Sequence, residues 1–224
     1  MKNLCSVLLP AFNEEETVGA CCSVMLGHPL VAEVIVIANC CSDKTAQFAK
    51  EAGAKVIETT DKGKGYALKT GIAVAVQPII VFCDADLKNP SNQMINLLME
   101  KFETERTGLV KGYFDRSEHP GPVTDMLVRP LLKQLNHPAA NIKQPLSGMI
   151  AAKTTFLKLA NLPNDFGVDL AVLLAAYDLG WEVAEAELPL IEHKVRPWSH
   201  YVNMAKEVAS VFYEAGYISG KRSC

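Results

Sequence analysis

Short β-branched, apolar runs alternate in the first half of the chain with longer stretches of helical period, and this alternation limits the possible folds more than any other feature. It predicts an α/β fold built from βαβ units, with a doubly wound, mainly parallel sheet flanked by helices in a single domain. Strands are expected at 5–9, 33–37, 55–57, 79–83, 109–113, 148–152 and 181–190. Helices are expected at 15–26, 45–52, 65–76 and 91–103, with Ser91 and Asn92 suited to open the last. Beyond Tyr113 the pattern loosens into a polar loop, DRSEHPGP at 115–122. Helical spacing resumes over 123–135 and 168–179, and a polar segment at 193–200 leads to a final amphipathic helix.

The composition supports such a core and excludes several classes of function. With 224 residues, 49% hydrophobic and 21% charged, the chain buries enough surface to fold without disulfides or a structural metal, so disorder is ruled out as its main state. A net charge of −3 offers no basic field for a nucleic acid, although a local basic pocket is compatible with it. Seven cysteines without a CxxC pair are neither a disulfide framework nor a zinc ribbon, and they read as reduced thiols of a cytoplasmic protein. No signal h-region is visible, and the longest apolar stretch, 72–82, is broken by Gln77 and Pro78, so no membrane anchor is expected.

Chemistry concentrates at strand ends. Asp84-Ala85-Asp86 follows the apolar run ending at Cys83, which places two carboxylates where open α/β sheets bind ligands. Residues two apart in an extended segment face the same side, and hard oxygen donors suit Mg²⁺ or Mn²⁺ bridging two phosphates. Taken alone, the same triplet also reads as a solvated turn. Pro10-Ala11-Phe12-Asn13-Glu14-Glu15 follows the first strand and, alone, also reads as an ordinary helix start with Asn13 as cap. Gly63-Lys64-Gly65 opens the third helix, where glycines permit close backbone approach and a lysine can meet an anion; a flexible turn would look the same. His28, His119 and His137 lie near prolines and read as surface histidines, while the methionines and the apolar stripe from Met126 to Leu135 read as core.

The segments SVLLPAFNEEETVG, ANCCSDKTA, DKGKGYAL and VFCDADL, in this order, resemble the nucleotide-diphospho-sugar glycosyltransferases of the GT-A fold. Further along, KGYFDR, GPVTDMLVRPLL, QPLSG, FGVDLAVLL and the histidine of IEHKVRP resemble the glucosyl-3-phosphoglycerate synthases, relatives of the mannosyl-3-phosphoglycerate synthases. The resemblance runs from about Ser6 to about Pro197. It implies a nucleotide-sugar-binding half at 1–113, an acceptor half at 114–200, and a C-terminal helix and tail at 201–224.

The resemblance also implies roles for individual residues. Pro10, Ala11, Asn13, Glu14, Asn39 and Lys64 would bind the donor nucleotide, with Asp84 on the ribose and Ala85 beside it. Asp86 and His193 would hold Mg²⁺ or Mn²⁺. Thr124, Ser147 and Gly148 would face the acceptor, and the Leu146 carbonyl would face the anomeric centre. Asp169 falls at an acidic position of the retaining branch and also where inverting family-two enzymes place their base. Three departures stand out: Pro122 replaces an arginine beside the acceptor threonine, Val195 replaces a polar contact, and Met149 replaces an acidic residue. In the base-binding turn, Ala38-Asn39 stands where an acidic residue usually begins the pattern.

The expected activity is metal-dependent transfer of a hexose, glucose from UDP-glucose, to a small hydroxylated and anionic acceptor, with retention favoured. An inverting course with Asp169 as base, or a non-catalytic nucleotide-sugar-binding protein, are the alternatives. A nucleotidyltransferase would need a Gly-rich basic loop after the first strand, where this chain has acidic PAFNEEE. The expected partners are the donor and a small acceptor, with no nucleic acid and no membrane anchor; a homodimer is compatible with the sequence.

Overall fold

The computed structural model describes residues 4–115, 121–192 and 197–218. Among them seven strands make one sheet: β1 (Cys5–Ala11), β2 (Val31–Asn39), β3 (Lys55–Thr59), β4 (Ile79–Phe82), β5 (Thr107–Tyr113), β6 (Ile150–Lys153) and β7 (Glu182–Glu187). Their order is β3-β2-β1-β4-β6-β5-β7. All pairs are parallel except those of β6, which runs antiparallel to both β4 and β5. The helices are α1 (Val18–Leu26), α2 (Thr45–Glu51), α3 (Lys64–Val74), α4 (Gln93–Met99), α5 (Arg129–Gln134), α6 (Thr154–Leu157), α7 (Val168–Asp178) and α8 (Trp198–Glu214).

The two-residue period of the strands divides the interior in two. Leu8, Ile35, Ile37, Ile80 and Phe82 point to one face, where α3, α7 and α8 cover them. Val7, Leu9, Val34, Val36 and Val81 point to the other, under α1, α2 and α4. Four cysteines, Cys5, Cys21, Cys22 and Cys83, fill this second core as small apolar groups. Burial pushes the Cys5 and Cys21 thiols up to about 12 and Cys22 up to about 11, so they stay protonated at neutral pH.

Several boundaries differ from the sequence expectation for identifiable reasons. Helix α1 starts at Val18 instead of residue 15, because Asn13 adopts φ +56 and the Glu14 carbonyl accepts from both Thr17 and Val18 in a turn. Asn13 is therefore no helix cap; its Oδ1 accepts from the Ser42 backbone N at 2.8 Å. The expected helix at 123–135 is a π-helical turn, Thr124–Val128, followed by α5. Pro130 cannot donate to a preceding carbonyl, and the wider turn absorbs that defect. In the same stretch Met126 is exposed, whereas Val128 and Leu132 reach the core as expected.

Of the two described histidines expected at the surface, His28 is buried and His137 half-buried. His137 packs edge-on against Tyr177 and Tyr217, with centroids 5.5 and 5.3 Å away. His28 is 4% exposed; its Nδ1 accepts from Leu30 N at 3.1 Å and its Nε2 lies 3.0 Å from Asn96 Oδ1. The ring thus ties the end of α1 to α4. His119 lies outside the described residues. His28→Ala removes two part-buried hydrogen bonds and leaves a cavity, and should cost about 2–3 kcal/mol. A urea unfolding midpoint unchanged from wild type would refute this role.

Candidate active site

The chain leaves β1 toward β2 on one side and β4 toward the rest of the sheet on the other, so these two neighbours bound the crevice at their carboxyl ends. Pro10 and Ala11 close β1, and Asn13 and Glu14 follow it. Asp84, Ala85 and Asp86 follow β4. The β4 turn is anchored from α1: Thr17 Oγ1 donates to the Ala85 carbonyl at 2.7 Å, and Cys21 Sγ contacts the Ala85 and Leu87 carbonyls at 3.7 Å. Ala85 is buried while Asp84 and Asp86 on either side remain half-exposed.

Four segments distant in sequence meet at Lys64. Its Nζ lies 2.8 Å from Asp169 Oδ2 and 3.5 Å from Asp84 Oδ1. A Cβ on Gly148 would stand 2.7 Å from the same Nζ and 3.1 Å from Asp84 Oδ1, so any larger residue there would push the lysine head group out of this position. Asp169, 3% exposed, sits in the first turn of α7. Burial pulls the Lys64 ammonium toward neutrality, but the Asp169 and Asp84 carboxylates outweigh it and hold it above the ordinary lysine range. Its stabilising contribution is therefore complete below about pH 10 and fades only above that.

The glycines flanking Lys64 serve the protein interior. A Cβ on Gly63, whose φ is +142, would stand 2.1 Å from the Asn164 carbonyl oxygen, and one on Gly65 2.0 Å from that of Pro163. Gly65 N and Tyr66 N donate to the Asp165 and Asn164 carbonyls at 3.2 and 2.9 Å. The first amides of α3 are thus engaged by the loop leading into α7, and the anion-binding capacity there rests on the Lys64 side chain rather than on those amides. Asp165 also accepts from Val168 N through its carbonyl and from Gly167 N through Oδ1, so one residue fastens the starts of α3 and α7 together.

Other sequence-derived candidates fall around this cluster in different ways. Asn39 Nδ2 donates to Thr59 Oγ1 and to the Asp61 carbonyl, and its Oδ1 accepts from Gly63 N at 3.0 Å. Its amide is committed to the loop that delivers Lys64. Leu146 and Ser147 are buried in the loop before β6. Thr124 is buried at the head of the π-helical turn, and among the described residues no hydrogen bond links it to the Lys64 cluster. His193 lies outside the described residues. The segment just before it is pinned beside the β4 turn by Asn89, whose Nδ2 donates to the Leu190 carbonyl at 2.7 Å and whose Oδ1 accepts from Glu192 N at 2.9 Å. Among the described residues no three His, Cys, Asp or Glu side chains converge as a ready-made metal centre.

Residues 6–157 match the model of "Glycosyl transferase family 2". The chain belongs to that family. This transferase is 33% identical over 226 residues to the glucosyl-3-phosphoglycerate synthase of Mycolicibacterium smegmatis, spanning 91% of this chain and 74% of the relative. It is 31% identical over 231 residues to that of Petrotoga mobilis, covering 92% and 71%. The Mycobacterium tuberculosis glucosyl-3-phosphoglycerate synthase, solved with Mn²⁺, UDP and glucosyl-3-phosphoglycerate, superposes with a TM-score of 0.87 at 31% identity. That match covers 95% of this chain and 79% of the solved one. The same enzyme with Mn²⁺, UDP-glucose and phosphoglyceric acid also gives 0.87. The transferase has their GT-A fold.

Removing one member of a buried ion pair strands the other, at a cost of about 3 kcal/mol or more. Lys64→Ala should therefore lower the thermal midpoint by on the order of 10 °C. Adding Asp169→Asn should restore at least half of that loss, because Asp84 is the better solvated of the two partners. Additive losses in the double variant would dissolve the proposed coupling.

Proposed function

We propose that this transferase moves glucose from UDP-glucose to a small anionic hydroxyl acceptor of the phosphoglycerate kind, with retention of anomeric configuration. The observation that carries this reading is the meeting of Lys64, Asp84, Gly148 and Asp169 at the carboxyl edge of the sheet, in a chain 31–33% identical to enzymes of that activity. The nucleotide would lie along Pro10, Ala11, Asn13 and Glu14, with Asn39 holding the adjoining loop and Asp84 meeting the ribose. Ser147, Gly148 and Thr124 would line the acceptor side.

The β4 turn suits a hard divalent ion. Asp84 and Asp86 offer half-exposed carboxylate oxygens from a backbone fixed at Ala85 by Thr17, and an ion carried in on a diphosphate takes further oxygens from the phosphates. Asp86 and His193 would hold Mg²⁺ or Mn²⁺, which would neutralise charge on the departing diphosphate. Lys64 adds a fixed positive charge nearby.

Asp169 supports retention over inversion. A general base must reach the acceptor hydroxyl and take its proton, whereas Asp169 is 3% exposed and its carboxylate serves as counter-ion to Lys64, whose Nζ lies 2.8 Å from Oδ2. A retaining course lets a donor phosphate oxygen take that proton, with the Leu146 carbonyl near the developing oxocarbenium. Asp169 then orients Lys64, and Asp169→Asn should keep part of the activity.

Calorimetry with UDP-glucose and Mn²⁺ should show metal-dependent binding that Asp86→Ala weakens at least tenfold without altering the melting temperature. Equal affinities in variant and wild type would remove Asp86 from the metal site. Proton NMR of fresh product from 3-phosphoglycerate should show an α-anomeric signal. A β signal would make Asp169 the base, and no transfer to any phosphorylated hydroxy acid would overturn the acceptor class.

A further inference from the structure

Lys111 lies in the middle of β5, with Ile150 of β6 and Glu185 of β7 as its register partners, and is 0% exposed. It shares a face with Leu109, which belongs to the core under α7 and α8. An ammonium in such a place loses several kcal/mol of hydration, and a methionine of similar length would fill the space at no such cost. Lys111 Nζ donates to the Ser147 carbonyl at 2.7 Å.

That bond is one of several that fasten the loop before β6 to the end of β5. Gly112 N donates to the Met149 carbonyl at 2.8 Å, and Gln144 Nε2 donates to the Phe114 carbonyl. Within the loop, Ser147 N closes a turn onto the Gln144 carbonyl at 3.0 Å and Met149 N donates to Ser147 Oγ at 3.3 Å. No cis peptide occurs among the described residues, so a Ser147 carbonyl drawn toward Lys111 turns the Gly148 N–H the opposite way. Among the described residues no hydrogen bond to a protein acceptor uses that N–H. Gly148 is also the residue whose Cα abuts Lys64 and Asp84.

We infer that Lys111 is a positioning residue: its buried ammonium sets the Ser147–Gly148 peptide plane, and with it the Leu146–Gly148 backbone that faces the reacting sugar. The inference rests on the proposed transfer reaction for its catalytic consequence, but its structural half does not. Lys111 touches no substrate. By holding the Ser147 carbonyl it turns the Gly148 N–H of the same peptide plane away from itself, and it steadies the neighbouring Leu146 carbonyl, so that a small rotation of that plane would move both groups.

Lys111→Met tests this. Hydrogen exchange at the amides of residues 144–149 should quicken at least tenfold, while β1, β2 and α1 keep wild-type rates. UDP affinity by calorimetry should stay within twofold, because the nucleotide contacts lie on other segments, and kcat should fall at least tenfold. Exchange unchanged in the loop, exchange quickened evenly across the sheet, or kcat within twofold of wild type would each overturn the role. If Lys111→Met does not fold, Lys111→Arg keeps the charge but displaces the donor, and the same localised exchange and kcat loss are expected; wild-type values in that variant overturn it. Should the wild-type protein transfer no glucose, the reaction proposed above fails, and the exchange measurement still decides whether Lys111 sets the loop.

Discussion

One ammonium group organises the cleft. Lys64 reaches it from the start of α3, between a carboxylate that follows β4 and another from the first turn of α7. Without it, the buried Asp169 would lose its counter-ion beside the half-exposed Asp84. The surrounding glycines, the Asn39 amide and Asp165 make sense as parts of this arrangement, since each fixes where the lysine backbone lies.

The result is a site organised by side chains and loop backbone, with the leading amides of α3 engaged internally. Gly65 N and Tyr66 N are bound to the 164–165 carbonyls, so the common device of an anion seated on open helix amides is closed at this position. In the proposed reaction, recognition of negative charge would fall to the paired Lys64 and to a cation held at the β4 turn. Among the described residues, Lys64 is the cation that Asp84 and Asp169 share.

Much of this was legible in the sequence because it depends on local pattern. Period-two strands, the Asp84-Ala85-Asp86 triplet at a strand end and Lys64 at a helix start all follow from spacing, and the ordered motifs pointed to the family. What escaped depends on contacts between distant segments. The reason for Gly63 and Gly65 lies at Pro163 and Asn164, about a hundred residues on, so the glycines read as making room for a ligand when they make room for a loop. His28 and His137 looked superficial because their neighbours are prolines and turns, and only the packing of α4 buries the first and the 177–217 aromatic pair half-covers the second. Asn89 carried no signal at all, since its partners are at 190–192. Lys111 did carry one: a charge on the Leu109 face of an apolar strand has to be explained by a partner.

The antiparallel direction of β6 has a consequence for how the cleft can be furnished. Parallel strands present to the ligand edge only what comes after them, and the chain is then leaving for the next helix. A reversed strand presents what comes before it, a segment arriving at the sheet and about to be locked by its ladder. Residues 146–148 occupy that inbound position, wedged between β4 and β5. Main-chain groups can therefore be held at the edge with the rigidity of the sheet itself, while the outbound turns after β1 and β4 supply the side chains, and the two kinds of function need not compete for one loop.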